Sequence, residues 1–140
     1  MAQHPKSWKY DEIEVGQKAS RTRTVRHSDI QKFAEVTGDK NPVHLDSDYA
    51  STTIFKEPIA HGMLTAGYIS AVFGMDLPGP GAIYVSQTLN FTGPVKAGDE
   101  VQARVQVVEK MEKRRVRFET TCWVNGKIVL AGEAVLKLAA

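Results

Sequence analysis

Cysteine is nearly absent from this sequence, because Cys122 is the single one. An internal disulfide and a cysteine metal cluster are therefore excluded. No apolar run approaches the roughly 20 residues that a membrane-spanning helix needs. The first residues, MAQHPKSWKYDEIEVG, lack the apolar core of a signal peptide. These absences predict a cytoplasmic protein with no membrane partner.

An excess of charge of one sign is also missing. The 18 Lys and Arg residues nearly balance the 16 Asp and Glu residues, and the formal net charge at pH 7 is +2. Nucleic-acid-binding proteins combine a basic surface with aromatic platforms, so no nucleic-acid partner is predicted. A chain of 140 residues can bury one core, and we expect residues 1–140 to form a single domain.

The chain is richest in chemistry between residues 33 and 50, FAEVTGDKNPVHLDSDYA. The pattern of Ser28 and Gln31 predicts a helix start, and Gly38 predicts its end. Pro42 prevents the helix from continuing, so Asp39 and His44 are expected on a stiff loop. A carboxylate and an imidazole held together can polarise a water at neutral pH. The spacing alone leaves a second interpretation open, in which Asp39 caps the next turn and His44 lies on the surface.

The least polar stretch follows, MLTAGYISAVFGM at residues 63–75. Its apolar residues lie all round a helix, which indicates a buried helix. Alternating apolar residues then predict antiparallel strands, and Asn125-Gly126 predicts a hairpin turn. The predicted fold is α+β: a curved antiparallel sheet of about five strands, including one near residues 17–25, wraps the buried helix. The segment 26–60 is then an insertion across the mouth of the sheet.

Several separated motifs resemble one family, the MaoC-like, R-specific enoyl-CoA hydratases. They are TGDKNPVH at residues 37–44 followed by Ala50, PIAHGML at 58–64, GDEV at 98–101 and GEAV at 132–135. The resemblance covers the chain from about Val15 to Leu138. It implies a hot-dog fold, a homodimer, and addition of water to a trans-2-enoyl-CoA to give an (R)-3-hydroxyacyl-CoA. It implies no metal or redox cofactor, since coenzyme A is part of the substrate.

The resemblance also implies roles for individual residues. Asp39 and His44 would hold the water between them, one removing its proton and the other delivering a proton; which does which stays open. Gly62 would present a backbone N–H at the helix start to the thioester oxygen, because N–H groups there are unpaired and the dipole favours negative charge. The alternative is that Gly62 is only a packing glycine and His61 only a helix cap. The residues predicted around the substrate are Asn41, which we expect to orient the loop, His61, Ser70 and Phe73.

Other functions use similar residues and stay open at this stage. They are an acyl-CoA thioesterase, a 3-hydroxyacyl-carrier-protein dehydratase, and a non-catalytic acyl-CoA-binding module. A thioesterase would leave the Asp39 and His44 pairing without an evident role. A binding module would tolerate the loss of either residue. Ordinary core positions are the alternative for Ser70 and Phe73.

Overall fold

The computed structural model describes residues 3–139. In this part of the chain, one antiparallel sheet of six strands organises the fold. Along the sheet the strand order is β1-β4-β5-β6-β2, and the short β3 pairs with β6. The strands are β1 (Lys18–Thr24), β2 (Ile83–Gln87), β3 (Asn90–Phe91), β4 (Glu100–Lys110), β5 (Arg115–Val124) and β6 (Lys127–Lys137).

Within residues 3–139 the fold is completed by four α-helices and one short 3-10 helix, Tyr10–Glu12. The helices are α1 (His27–Thr37), α2 (Pro42–Leu45), α3 (Ser47–Ser51) and α4 (Gly62–Met75). The longest, α4, has 14 residues. None of the helices in residues 3–139 is both long enough and apolar enough to cross a membrane.

Helix α4 packs against the concave face of the sheet, as the sequence predicts. Its inward residues are buried: Thr65, Ala66, Ile69, Val72 and Phe73. The alternating strands β4 and β5 supply buried partners such as Val105 and Phe118. The opposite side of α4 is exposed along Met63, Gly67, Ser70, Ala71 and Gly74. The sheet covers only one side of the helix, so the prediction of a helix buried on every side is wrong for this stripe.

The strand count differs slightly from the predicted number of about five. The apolar alternation between residues 83 and 91 forms two strands, because the chain leaves the regular ladder at Thr88. The Thr88 N–H still donates to the Glu133 carbonyl at 2.8 Å. A Cβ placed on Gly132 would lie 1.9 Å from the Thr88 carbonyl oxygen. Only a glycine fits at this close approach, and that contact is invisible in the alternation.

Candidate active site

The loop that carries Asp39 begins where α1 ends. Gly38 has φ of 80°, a left-handed conformation, and its N–H donates to the Ala34 carbonyl. This confirms the predicted helix end. The predicted cap at Ser28 is wrong by two residues: Arg26 is the N-cap, and its N–H donates to the Asp29 carboxylate at 3.0 Å. The carboxylate of Asp29 competes better for that N–H than a Gln side chain would.

Two side chains fix the path from Asp39 to His44. The Asp39 carboxylate accepts the N–H of Asn41 at 3.3 Å. The Asn41 side-chain oxygen accepts the N–H of Val43 at 3.1 Å and caps α2. Pro42 occupies the first turn of α2, where its missing N–H costs nothing. The structure therefore gives Asn41 the loop-orienting contact expected from sequence.

Asp39 and His44 come together at one end of α4. One carboxylate oxygen of Asp39 and one ring nitrogen each of His44 and His61 lie within 4.8 Å of one another. Two groups bound to the same water at about 2.8 Å are roughly 4.6 Å apart, so this spacing suits a shared water. His44 is half-buried, and its Nδ1 donates to the Ile59 carbonyl at 2.7 Å. Its Nε2 is then the nitrogen left to accept a proton.

The charge state of His44 is set mainly by its burial. Burial lowers the pKa of His44 from its ordinary value of 6.5, while the bond to the Ile59 carbonyl opposes this shift. The imidazole is therefore neutral at pH 7. A neutral imidazole with one nitrogen already donating is suited to accept a proton from water.

His61 immediately precedes α4 and is only 2% exposed. Its Nε2 lies 3.0 Å from the backbone carbonyl oxygen of Asp39. Its ring stacks on His44, with centroids 3.9 Å apart, and its other neighbour is the Phe33 ring at 4.6 Å. Sequence reasoning placed His61 near the substrate but gave no sign of these two contacts.

Gly62 opens α4 beside this group. Among the described residues, the N–H groups of Gly62 and Met63 make no hydrogen bond. Both point from the positive end of the helix dipole. A Cβ placed on Gly62 would lie 2.6 Å from Cε1 of Phe91, whose ring packs over this glycine. Phe91 was not singled out from sequence, because its position in an alternating run gave no signal of this contact.

Two cavities meet at this point of the structure. The first, which we call the apolar cavity, has a volume of about 580 Å³, and its wall includes Phe55, Ile59, Phe91, Val95 and Leu130. The second, which we call the pair cavity because it lies beside the Asp39 and His44 pair, has a volume of about 450 Å³ and is also bordered by His61. The two cavities share His44, Gly62 and Met63. A ligand lying across these three residues would have space on both sides.

The Asp39, His44 and His61 group contains atoms of the kind that bind metal ions. The stacking of its two rings, with 29° between their planes, does not suit one ion. A metal lies in the plane of each imidazole that binds it, at about 2.0–2.1 Å from the nitrogen. The planes of the two stacked rings, whose centroids are 3.9 Å apart, intersect much farther than this from either ring nitrogen. One ion therefore cannot lie in both ring planes at bonding distance.

The structure places Ser70 and Phe73 away from this site. Phe73 is 2% exposed and packs edge-on against Tyr84 and Phe118, as a core residue does. Ser70 is exposed on the outer stripe of α4. Neither borders the apolar cavity or the pair cavity. Their assignment to the acyl pocket stays a prediction, and within one chain Phe73 serves the core.

A curved antiparallel sheet packed on one helix, with Asp39 and His44 together at the start of that helix, defines a protein with the hot-dog fold. The chain belongs to the MaoC-like domain family, whose model matches residues 10–129. The family resemblance carried by residues 37–44 and 58–64 is thereby confirmed.

Named relatives cover nearly the whole chain. The chain is 53% identical over 132 residues to an (R)-specific enoyl-CoA hydratase of Rhodospirillum rubrum, covering 94% of this chain and 92% of that protein. It is 49% identical over 130 residues to a 3-hydroxybutyryl-CoA dehydratase of Methylorubrum extorquens, covering 92% and 83%. An unliganded R-hydratase from Pseudomonas aeruginosa has a TM-score of 0.93 at 50% identity, covering 97% of this chain and 88% of that chain.

Proposed function

We propose that this protein is an R-specific enoyl-CoA hydratase, a hydro-lyase that adds water reversibly to a trans-2-enoyl-CoA. The observation that carries the proposal is a carboxylate oxygen of Asp39 within 4.8 Å of a ring nitrogen of His44, beside the free N–H of Gly62. This arrangement can bind the water, accept its proton and donate a hydrogen bond to the thioester oxygen. Relatives named for this reaction, at 53% and 49% identity, support it.

The reaction follows from the three groups. Asp39 and His44 hold the water at the β-carbon, and the neutral His44 accepts its proton as the oxygen bonds to carbon. The pair then supplies a proton to the α-carbon on the same face, which gives the 3-hydroxyacyl-CoA. The N–H of Gly62 stabilises the negative charge that develops on the thioester oxygen. This chemistry calls for no metal or redox cofactor.

The test follows the enoyl-thioester absorbance after the protein is mixed with crotonyl-CoA. We expect a rapid loss of absorbance, an (R)-3-hydroxybutyryl-CoA product and no free thiol. Release of free coenzyme A would assign the protein to the thioesterases instead. Turnover confined to acyl-carrier-protein thioesters would identify a carrier-protein dehydratase. No reaction over several chain lengths and both carriers would leave a binding module.

The single cysteine of the chain is not suited to act as a nucleophile. Cys122 is fully buried, and its thiol lies 3.8 Å from the Thr65 carbonyl oxygen. Burial raises the pKa of Cys122 to about 12, so the reactive thiolate is scarce at neutral pH. The thioesterase alternative gains no support from this residue.

The pH dependence should follow His44. Activity requires the neutral imidazole, so it is present above the pKa of His44 and lost as the pH falls through it. Burial lowers this pKa from 6.5, so we expect the acid limb of kcat/KM for crotonyl-CoA below pH 6.5. Steady-state rates measured from pH 4.5 to 9 would locate the limb. A limb at pH 7 or above would contradict the assignment of His44 as the proton acceptor.

The protein is also proposed to form a homodimer. Strand β2 is an edge of the sheet, and its residues Ile83, Tyr84 and Val85 are 60%, 40% and 44% exposed. An unpaired apolar edge strand is a template for pairing with a second chain. The exposed stripe of α4 is a second surface that an identical chain could cover.

Light scattering coupled to size exclusion would measure the assembly. We expect twice the mass of one chain for the wild type and the mass of one chain for Ile83→Asp, since a buried charge at the edge disfavours pairing. Val15→Asp is the matched control, because Val15 is 65% exposed outside the sheet edge. A monomeric wild type would contradict the proposal.

A further inference from the structure

Two crossed hydrogen bonds join the Asp39–His44 loop to the segment that leads into α4. His44 on the loop donates through Nδ1 to the Ile59 carbonyl at 2.7 Å. His61 on the segment donates through Nε2 to the Asp39 carbonyl at 3.0 Å. The two imidazole rings stack between these bonds with centroids 3.9 Å apart. Each side thus contributes one ring and one carbonyl, and we call this arrangement the histidine clasp.

We propose that His61 is a positioning residue that holds Asp39 and His44 in register with the N–H of Gly62, a role that rests on the proposed hydratase function. The resemblance to the family predicted His61 as a substrate-binding residue. The structure points instead to an action through its neighbours. The residue is 2% exposed, with the Phe33 and His44 rings against it, so little of its surface is left for a substrate.

The clasp determines which ring nitrogen of His61 carries the hydrogen. A backbone carbonyl can only accept, so Nε2 must carry a hydrogen. Nδ1 is buried and makes no hydrogen bond to the described residues. A hydrogen on Nδ1 would be a buried donor without a partner, which is costly. The geometry therefore favours the tautomer with its hydrogen on Nε2.

The position of His61 in the chain explains why this bond reaches the reacting groups. His61 is the N-cap residue of α4, so its backbone is joined directly to Gly62. Its side chain holds the backbone of Asp39, and its ring supports His44. One residue thereby contacts or adjoins the acid, the base and the oxyanion donor. Small displacements of such groups lower the rate of the chemical step more than they weaken substrate binding.

The experiment compares His61→Phe with His61→Gln for hydration of crotonyl-CoA. His61→Phe keeps a ring against His44 but removes the donor to Asp39. His61→Gln keeps an N–H donor and loses the ring. We expect His61→Phe to lower kcat by about 5- to 100-fold with KM within about twofold, since the Asp39 carbonyl loses the donor that holds it in place. We expect His61→Gln to recover most of that loss.

Val116→Ala is the control for a general loss of stability. Val116 is fully buried on β5 and borders neither cavity. It should lower the melting temperature without lowering kcat. The proposal is overturned if kcat of His61→Phe equals that of this control. It is also overturned if KM rises while kcat is unchanged, since that result would identify substrate binding, or if His61→Gln falls as far as His61→Phe.

A second measurement does not depend on activity. The ring ¹⁵N shifts of wild-type His61 should show a hydrogen on Nε2, and a ring with its only hydrogen on Nδ1 would overturn the clasp even if His61→Phe fails to fold. The two proposals also fail separately. A wild type that is inactive on every enoyl thioester overturns the hydratase proposal, whereas an active wild type with an unaffected His61→Phe overturns only the role of His61.

Discussion

Replacing Asp39 by Asn, or His44 by Gln, should lower kcat for hydration of crotonyl-CoA by about 10²–10⁴-fold in each case. The carboxylate and the neutral imidazole lie within 4.8 Å of each other, and the proposed mechanism has them act on the same water. Groups that act as a unit give non-additive losses. The double variant should therefore be little worse than either single variant. Loss of the enoyl-thioester absorbance measures all three rates.

Two exposed residues provide matched controls for these variants. Asp48→Asn and His27→Gln make the same chemical changes on exposed positions outside the site, and both should keep wild-type kcat. Circular dichroism melting would establish that the inactive variants are folded. If Asp39→Asn or His44→Gln retains more than a tenth of the wild-type rate, the acid–base pair is wrongly assigned.

The second large effect is expected at Gly62. Gly62 is the first residue of α4, and a methyl group there meets the Phe91 ring, so circular dichroism melting must first establish that Gly62→Ala is folded. Its methyl group would occupy the space through which the thioester oxygen reaches the N–H. Losing an oxyanion donor costs roughly 10²–10³-fold in kcat, and we expect a loss of that size. Steady-state kinetics with crotonyl-CoA would measure it.

Phe91 allows this loss to be separated from a packing effect. The added methyl would lie 2.6 Å from Cε1 of Phe91, so the ring must also move. A double-mutant cycle with Phe91→Ala isolates this contact. We expect Gly62→Ala/Phe91→Ala to remain as slow as Gly62→Ala, because the thioester oxygen is still blocked. Recovery of the double variant to the rate of Phe91→Ala would show that Gly62 is only a packing glycine.

The histidine clasp and Gly62 lie next to each other at the start of α4. Asp39 is exposed on the loop, whereas His61 is buried beneath it. The Asp39 carboxylate is thus open to a ligand, while the backbone carbonyl of Asp39 is hydrogen-bonded to the buried His61. This combination suits a group that must meet water and substrate without losing its orientation.

Much of the fold can be predicted from the sequence because several elements are determined by interactions between residues close together in the chain. The turn at Gly38, the apolar run that forms α4 and the apolar alternation in β4 and most of β5 each depend on neighbours along the chain. The predicted cap of α1 was less reliable, because Asp29, rather than Gln31, completes it. Asp46 caps α3 by accepting the N–H of Tyr49 at 3.1 Å. Several nearby polar side chains compete for the same N–H groups, and geometry decides between them.

The sequence by itself determined the Asp39 and His44 loop, the buried helix that starts at Gly62 and the family to which the chain belongs. Only the tertiary structure decided that His61 bonds to Asp39 and stacks on His44, that Phe91 covers Gly62, and that Phe73 packs in the core. The physical reason is the range of the contacts. Helix ends and strand alternation are set within a few residues, whereas these side chains are far apart in the sequence and meet only in the folded structure.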